Sequence, residues 1–171
     1  MNLYEYKIGL DFDGVVANYG NHVTTYKSNR CLLALLPAPQ PVVIITNQGG
    51  MVFYRSNPAK YPSPRRVADR LTWGVRFLEA HGYPVLAILS CSYHPKAQEA
   101  AIQKAASKLR AELDARQIVP EFTVYTTARA RKPSPLMLRK AGIACFYGDS
   151  QEDEEAARAA GVMFVRVPRF E

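Results

Sequence analysis

Apolar runs of strand length alternate with helix-length segments along the whole chain, and this alternation is what most restricts its fold. Period and punctuation predict strands at 5–11, 42–46, 85–90, 122–125, 144–147 and 163–167. Between them the sequence predicts a helix from near Asn21 that must stop before Pro37, and a second over about Arg65 to His81, ended by Gly82. A third covers about Pro95 to Gln117, a short one follows Pro135, and the last runs from Gln151 to Ala160 before Gly161. The third carries Ile102, Ala106, Leu109 and Leu113 at helical spacing, with Lys104, Lys108, Arg110 and Glu112 turned elsewhere, so it reads as an amphipathic helix packed on a sheet. Strands separated by helices in this way form a mostly parallel central sheet with helices on both faces, a three-layer Rossmann-like α/β fold. At 171 residues the chain is expected to be one domain, 1–171, large enough to bury roughly 70% of its extended surface.

Several of these strands end in residues able to do chemistry. The run Ile8-Gly9-Leu10 delivers Asp11-Phe12-Asp13-Gly14, paired carboxylates in the turn at the C-terminal end of a buried strand, where open α/β sheets place their ligands. The β-branched run Val42-Val43-Ile44-Ile45 stops at Thr46-Asn47-Gln48-Gly49-Gly50, which offers a hydroxyl, two amides and free backbone N–H groups to an anion. Arg131-Lys132-Pro133 holds a cation before a residue that cannot continue a helix to its left. Phe146-Tyr147-Gly148 then delivers Asp149, with Asp153 one helical turn beyond. Each segment alone is an ordinary strand exit, solvated lysine or acidic helix start; their order along the chain is not ordinary.

Taken in order, Asp-x-Asp-Gly, Thr, Lys and Gly-Asp-x-x-x-Asp resemble the haloacid dehalogenase-like phosphatase superfamily, from Lys7 to about Val167. Within it, Thr-Asn-Gln-Gly and Arg-Lys-Pro look most like the subgroup of polynucleotide 3′-phosphatases, heptose bisphosphate phosphatases and histidinol phosphatases. The resemblance implies a HAD-like fold, with Asp11 as a nucleophile that forms an aspartyl-phosphate and Asp13 as general acid and base. It implies Mg2+ held by Asp11, the Asp13 backbone carbonyl and Asp149, with Asp153 orienting the metal's waters or Lys132. Thr46 and Lys132 would hold the transferring oxygens, and Phe12, Gly14, Asn47, Gln48, Arg55 and Arg131 are further candidates for phosphate or substrate contact. Val15 stands where the family more often has Thr, a position that mainly supports the turn.

A single helix and strand consume the stretch between the first two motifs, and only one long helix and a basic loop are in excess between the second and third, so no large cap domain is expected. An uncapped site would admit a bulky phosphate carrier such as a nucleic-acid end. The net charge of +7 also favours a polyanionic partner. The loop Met51 to Arg66 mixes aromatic residues with cations on the side where the second strand ends, and it could stack bases while Arg129, Arg131 and Tyr93 border the same mouth. A polynucleotide 3′-phosphate is therefore the expected substrate; the alternatives are a small sugar or nucleotide phosphatase, and a nucleic-acid binding module that has lost the reaction.

Heptose bisphosphate phosphatases carry a zinc loop of Cys-x-His followed by Cys-x-Cys before Arg-Lys-Pro. Here Cys91-Ser92-Tyr93 places His94 one position late and Ala128-Arg129-Ala130 offers no ligand, so no structural zinc is expected. His94 reads as a loop residue near substrate, His22 and His81 as surface or capping residues, and Trp73 and Tyr83 as core or edge packing. Cys31, Cys91 and Cys145 read as buried free thiols. The longest apolar stretch falls short of the ~20 residues a membrane span needs. The first residues lack the cationic lead and apolar core of a secretory signal, so no membrane association and a cytoplasmic location are expected.

Overall fold

The computed structural model describes residues 7–20 and 26–171. Its six strands are β1 (Ile8–Leu10), β2 (Val42–Asn47), β3 (Val85–Cys91), β4 (Glu121–Tyr125), β5 (Cys145–Gly148) and β6 (Met163–Arg166). They form one sheet in the order β4-β3-β2-β1-β5-β6, with every neighbouring pair parallel. Among the described residues five α-helices accompany them: α1 (Arg30–Leu35), α2 (Pro64–Ala80), α3 (Glu99–Arg116), α4 (Leu136–Ala141) and α5 (Gln151–Ala160). The result is the expected three-layer Rossmann-like α/β arrangement, and among the described residues no helix is long and apolar enough to cross a membrane.

The period of two along each strand splits the core into two layers. Val42, Ile44, Leu10 and Ile88 join Val67, Leu71, Val75 and Leu78 of α2 and Ala106, Leu109 and Leu113 of α3. Their neighbours Val43, Ile45 and Leu89, with Phe146, pack instead on Met137, Leu138 and Ala141 of α4 and Ala156 and Ala157 of α5. Each fully buried Leu, Ile or Phe side chain contributes about 1.5–3 kcal/mol relative to exposure. Val15, at the position where the resemblance would more often have Thr, is completely buried in the first layer. Tyr83 is buried with its hydroxyl donating to Pro37 O at 2.6 Å, and Trp73 packs partly buried against the same layer.

The helix boundaries follow local capping. The Ser63 hydroxyl accepts from Arg66 N and Pro64 opens α2, which ends at His81 before Gly82. Two helices begin later than the sequence predicts. Residues 27–29 run along the β1–α1 loop, with Asn18 N donating to Lys27 O, Asn29 N to Val16 O, and a bridge between Ala17 and Ser28; those backbone groups are thus unavailable to a helix. Asn29 then caps α1 through Cys31 N, and Cys31 is exposed, not buried as expected. Likewise Pro95 to Gln98 form a turn closed by Ala97 N donating to His94 O, so α3 starts at Glu99. The strand residues expected at 5 and 6, the helix start expected at 21–25, and His22 lie outside the described residues.

From β1 the chain crosses to β2 on one side and is flanked by β5 on the other, so the strand order reverses beside β1. A crevice opens there, outside the carboxyl ends of the strands, because the loops leaving β1 and its neighbours diverge. Asp11, Thr46 and Asp149 occupy or follow the ends of β1, β2 and β5, so they meet at this crevice.

Candidate active site

Asp11 leaves β1 with its N–H bonded to Tyr147 O at 2.9 Å, so its carboxyl is fixed relative to β5. The turn that follows folds back on itself, Val16 N and Ala17 N both donating to Phe12 O. Gly14 adopts φ of +83°, and a Cβ there would lie 2.5 Å from Asp149 Oδ2. Glycine is thus required both for the turn and for the approach of the two acidic loops.

At the end of β2, the Thr46 hydroxyl oxygen accepts from Gln48 Nε2 at 3.0 Å, and the same Gln48 nitrogen lies 2.8 Å from Asp13 Oδ2. Asn47 donates to Lys132 O and accepts from Lys132 N, both at 3.1 Å, fastening the Lys132 loop to β2. Asn47, expected as a phosphate contact, thus lines the cavity and also clamps this loop. Lys132 is buried, and its Nζ donates to Asp11 Oδ1 at 2.9 Å, Asp153 Oδ1 at 2.6 Å and Ile45 O at 3.2 Å, which uses all three ammonium protons. Asp153 sits in the first turn of α5 in a capping box with Ser150, and its Oδ2 also accepts from Asp149 N at 3.2 Å.

These groups share one cavity of about 320 Å³, lined by Asp11, Asp13, Thr46, Asn47, Gln48, Arg131, Lys132, Asp149 and Asp153 among others. Single carboxylate oxygens of Asp11, Asp149 and Asp153 all lie within 4.8 Å of one another, a set that could hold a metal ion. The Asp13 carboxylate lies outside that set, engaged by Gln48 and by the buried Arg70, whose NH1 is 2.8 Å from Asp13 Oδ1. A cluster of hard carboxylate oxygens of this kind fits a hard divalent cation.

Burial pushes the Asp11 carboxyl well above the usual carboxylate range; Lys132 pulls against this, while Asp153 and Asp13 add to it. Burial also works against the charge of Lys132, yet Asp11 and Asp153 outweigh it and raise the ammonium above the ordinary lysine range. Asp153 feels the same burial, but the attraction and hydrogen bond of Lys132, with the Ser150 contacts, hold it below the usual range. The site thus keeps Lys132 charged and leaves an excess of carboxyls over cations at Asp11.

Four expected contacts are not brought to the cavity. The Phe12 side chain turns into the core, where it packs on Gly74 and lies under Arg70 at 5.7 Å. Arg55 is exposed and turned towards α3, its Nε donating to Tyr54 OH at 3.1 Å. Arg129 is exposed and, like the Tyr93 side chain, is not part of the lining; the Tyr93 carbonyl instead accepts from Arg131 at 3.1 Å. His94 does line the cavity and meets Phe53 edge-on at 4.8 Å. Cys91 is buried with its thiol directed at Thr127 O, and burial raises it above the usual thiol range. His81 sits exposed at the end of α2, its Nδ1 2.7 Å from Phe77 O.

Two residues that engage the candidate site escaped the sequence reading. Arg70 falls on the buried stripe of α2 at the spacing of Val67, Leu71, Gly74 and Val75, and a cation in an apolar stripe is a signal that could have found it. Arg169 follows the last strand and pairs its Nε with Asp149 Oδ2 at 2.6 Å while lying over the Tyr19 ring at 4.1 Å. Its position depends on Phe170 N donating to Gly14 O and Tyr19 N donating to Phe170 O, pairings that no local pattern announces.

No family model matches the chain, and neither a curated protein nor a solved structure matches it.

Proposed function

We propose that this protein is a magnesium-dependent phosphomonoesterase of the haloacid dehalogenase-like type, with Asp11 as nucleophile and a polynucleotide 3′-phosphate as substrate. The observation that carries the reading is the position of Lys132, which joins Asp11 and Asp153 beside Asp149 and Thr46 in one cavity at the strand-order reversal. A phosphomonoester dianion repels an attacking carboxylate, so a competent site must supply positive charge and donors around the transferring oxygens. Asp11, Asp149 and Asp153 would hold Mg2+, which when bound supplies positive charge between carboxylate and phosphate.

In the first half-reaction an Asp11 oxygen attacks phosphorus while the bond to the substrate oxygen breaks, and Asp13 gives a proton to that leaving oxygen. Asp13 then takes a proton from a water whose oxygen attacks the aspartyl-phosphate, releasing inorganic phosphate and restoring the Asp11 carboxylate. Arg70 and Gln48 hold Asp13 in place for both transfers, and the Thr46 hydroxyl proton is free to meet a phosphate oxygen because Gln48 occupies its lone pair. Tyr19, Tyr61, His94 and Arg131 at the cavity favour a substrate with planar bases and further phosphates.

The test is phosphate release with Mg2+ from 3′- and 5′-phosphorylated oligonucleotides, nucleoside monophosphates and sugar phosphates. We expect 3′-phosphorylated oligonucleotides to lead, Asp11→Asn to reduce turnover to background, and Thr46→Val to reduce it by about 10²–10³-fold. Efficient hydrolysis of sugar phosphates with oligonucleotides ignored would replace the substrate assignment, and turnover that survives Asp11→Asn would overturn the mechanism.

A further inference from the structure

Resting on the polynucleotide reading above, we infer that the face shared by the turn after Phe53 and helix α3 binds the phosphodiester backbone of the strand whose end enters the cavity. Tyr54 stands at its centre. The Tyr54 hydroxyl accepts from Arg55 Nε at 3.1 Å and from Lys108 Nζ at 3.4 Å, and these cations lie 5.9 and 5.8 Å from the ring centroid. Their hydrogen bonds, that of Arg55 first, hold the phenol below its usual range. Lys104, one helical turn before Lys108, lines the same shallow groove, and Arg65 borders Tyr54 and Lys108 from the start of α2.

None of Arg55, Arg65, Lys104 and Lys108 forms an ion pair with a carboxylate among the described residues, although six other cations of the chain do. The acid at this face, Glu112, is engaged by Arg116. Four cations brought together beside a single carboxylate that Arg116 already engages repel one another and attract counterions, which a polyanion displaces with a gain in entropy. An aromatic ring among them offers a face to a base as the cations follow phosphates.

The patch is continuous with the cavity. The fully buried Met51 lies behind both, and the half-buried Phe53, next to Tyr54, bridges them by touching the Tyr61 and His94 rings that line the cavity. One strand can therefore pass from Asp11 across the aromatic group onto α3. This also gives Arg55 a place in substrate binding, outside the cavity where the sequence had put it.

The experiment uses the full chain and the double variant Lys104→Ala/Lys108→Ala, at solvent-facing positions of α3 where alanine is a good helix former. Anisotropy of a 5′-labelled single strand of about a dozen nucleotides, read across a salt series, measures two lost phosphate contacts as a fall of about 1.4 in the slope of log K against log salt. At about 0.1 M salt the same loss is on the order of 25-fold in affinity. KM for a 3′-mononucleotide should stay unchanged, since it cannot reach α3. Equal affinity and slope for both proteins would overturn the inference, as would a wild-type chain that ignores the single strand or prefers an acidic peptide or anionic vesicles at equal salt. If the variant loses the strand while the wild type releases no phosphate from any 3′-phosphorylated oligonucleotide, the patch stands and the phosphatase reading falls.

Discussion

Lys132 Nζ lies 2.6 Å from Asp153 Oδ1 with both side chains closed off from water. Two carboxyls share this ammonium, so replacing Asp153 removes the shorter of its two charge-assisted hydrogen bonds and leaves Asp11 as its one acidic partner. Asp153→Asn keeps the shape and an oxygen able to accept from Ser150 N, and it should cost about 3 kcal/mol. Asp153→Ala also removes the capping box and should cost about 1 kcal/mol more. Urea unfolding checks both numbers, with midpoints falling at unchanged m-value.

Gly14→Ala should be more damaging than Gly142→Ala, although both positions have positive φ. At Gly142 a Cβ meets nothing within 4 Å, so only backbone strain of about 1 kcal/mol is incurred. At Gly14 the Cβ would also displace Asp149 Oδ2 from 2.5 Å away, separating the acids proposed to hold Mg2+. Thermal melts with and without Mg2+ test this: the wild type and Gly142→Ala should gain stability from the ion, and Gly14→Ala should not.

Much of the fold was legible because the physics is local. The β-branched run at Val42 to Ile45 and the apolar run before Gly148 announce buried strands, and Gly82 and Gly161 mark helix ends that the structure realises with positive φ. The candidate site was legible because chemistry-bearing residues directly follow those strands. What escaped depends on contacts distant in sequence. Residues 27–29 are held in place by the loop at 16–18, and Arg169 is brought to Asp149 by its neighbour Phe170 pairing with Gly14. Arg55 looked like a cavity residue because it closely follows Gly49 and Gly50. The tight turn at Gly49–Phe53 carries it past the mouth to α3 instead.

Arg70 couples the helix layer to the candidate site, since NH1 meets Asp13 and NH2 donates to Asn18 O at 2.7 Å. Arg70→Met would leave a largely buried carboxylate and a buried carbonyl unpaired, at a cost of about 3–5 kcal/mol. Arg70→Lys keeps the charge but cannot span both acceptors, and it should fall between wild type and Met in stability. If Arg70 positions Asp13, the Lys variant should lower kcat for phosphate release with little change in KM. An unchanged kcat in a folded Lys variant would make Arg70 purely structural.

His94 gives a pH signature separate from the acids. Burial, then the nearby Arg131 and Lys96, push its imidazole below the ordinary 6.5. As pH falls through about 6.5 the unfolded chain takes up a proton that the folded chain still refuses, so this residue makes stability decline on the acid side and contributes nothing above that pH. The ring is half-buried against Phe53, so the decline should be modest. His94→Gln should reduce the loss of stability between about pH 7 and pH 5 relative to wild type, since the substituted residue does not titrate. NMR titration of the His94 ring protons measures the midpoint directly, and a value at or above 6.5 would show that Arg131 and Lys96 do not act on it as their positions imply.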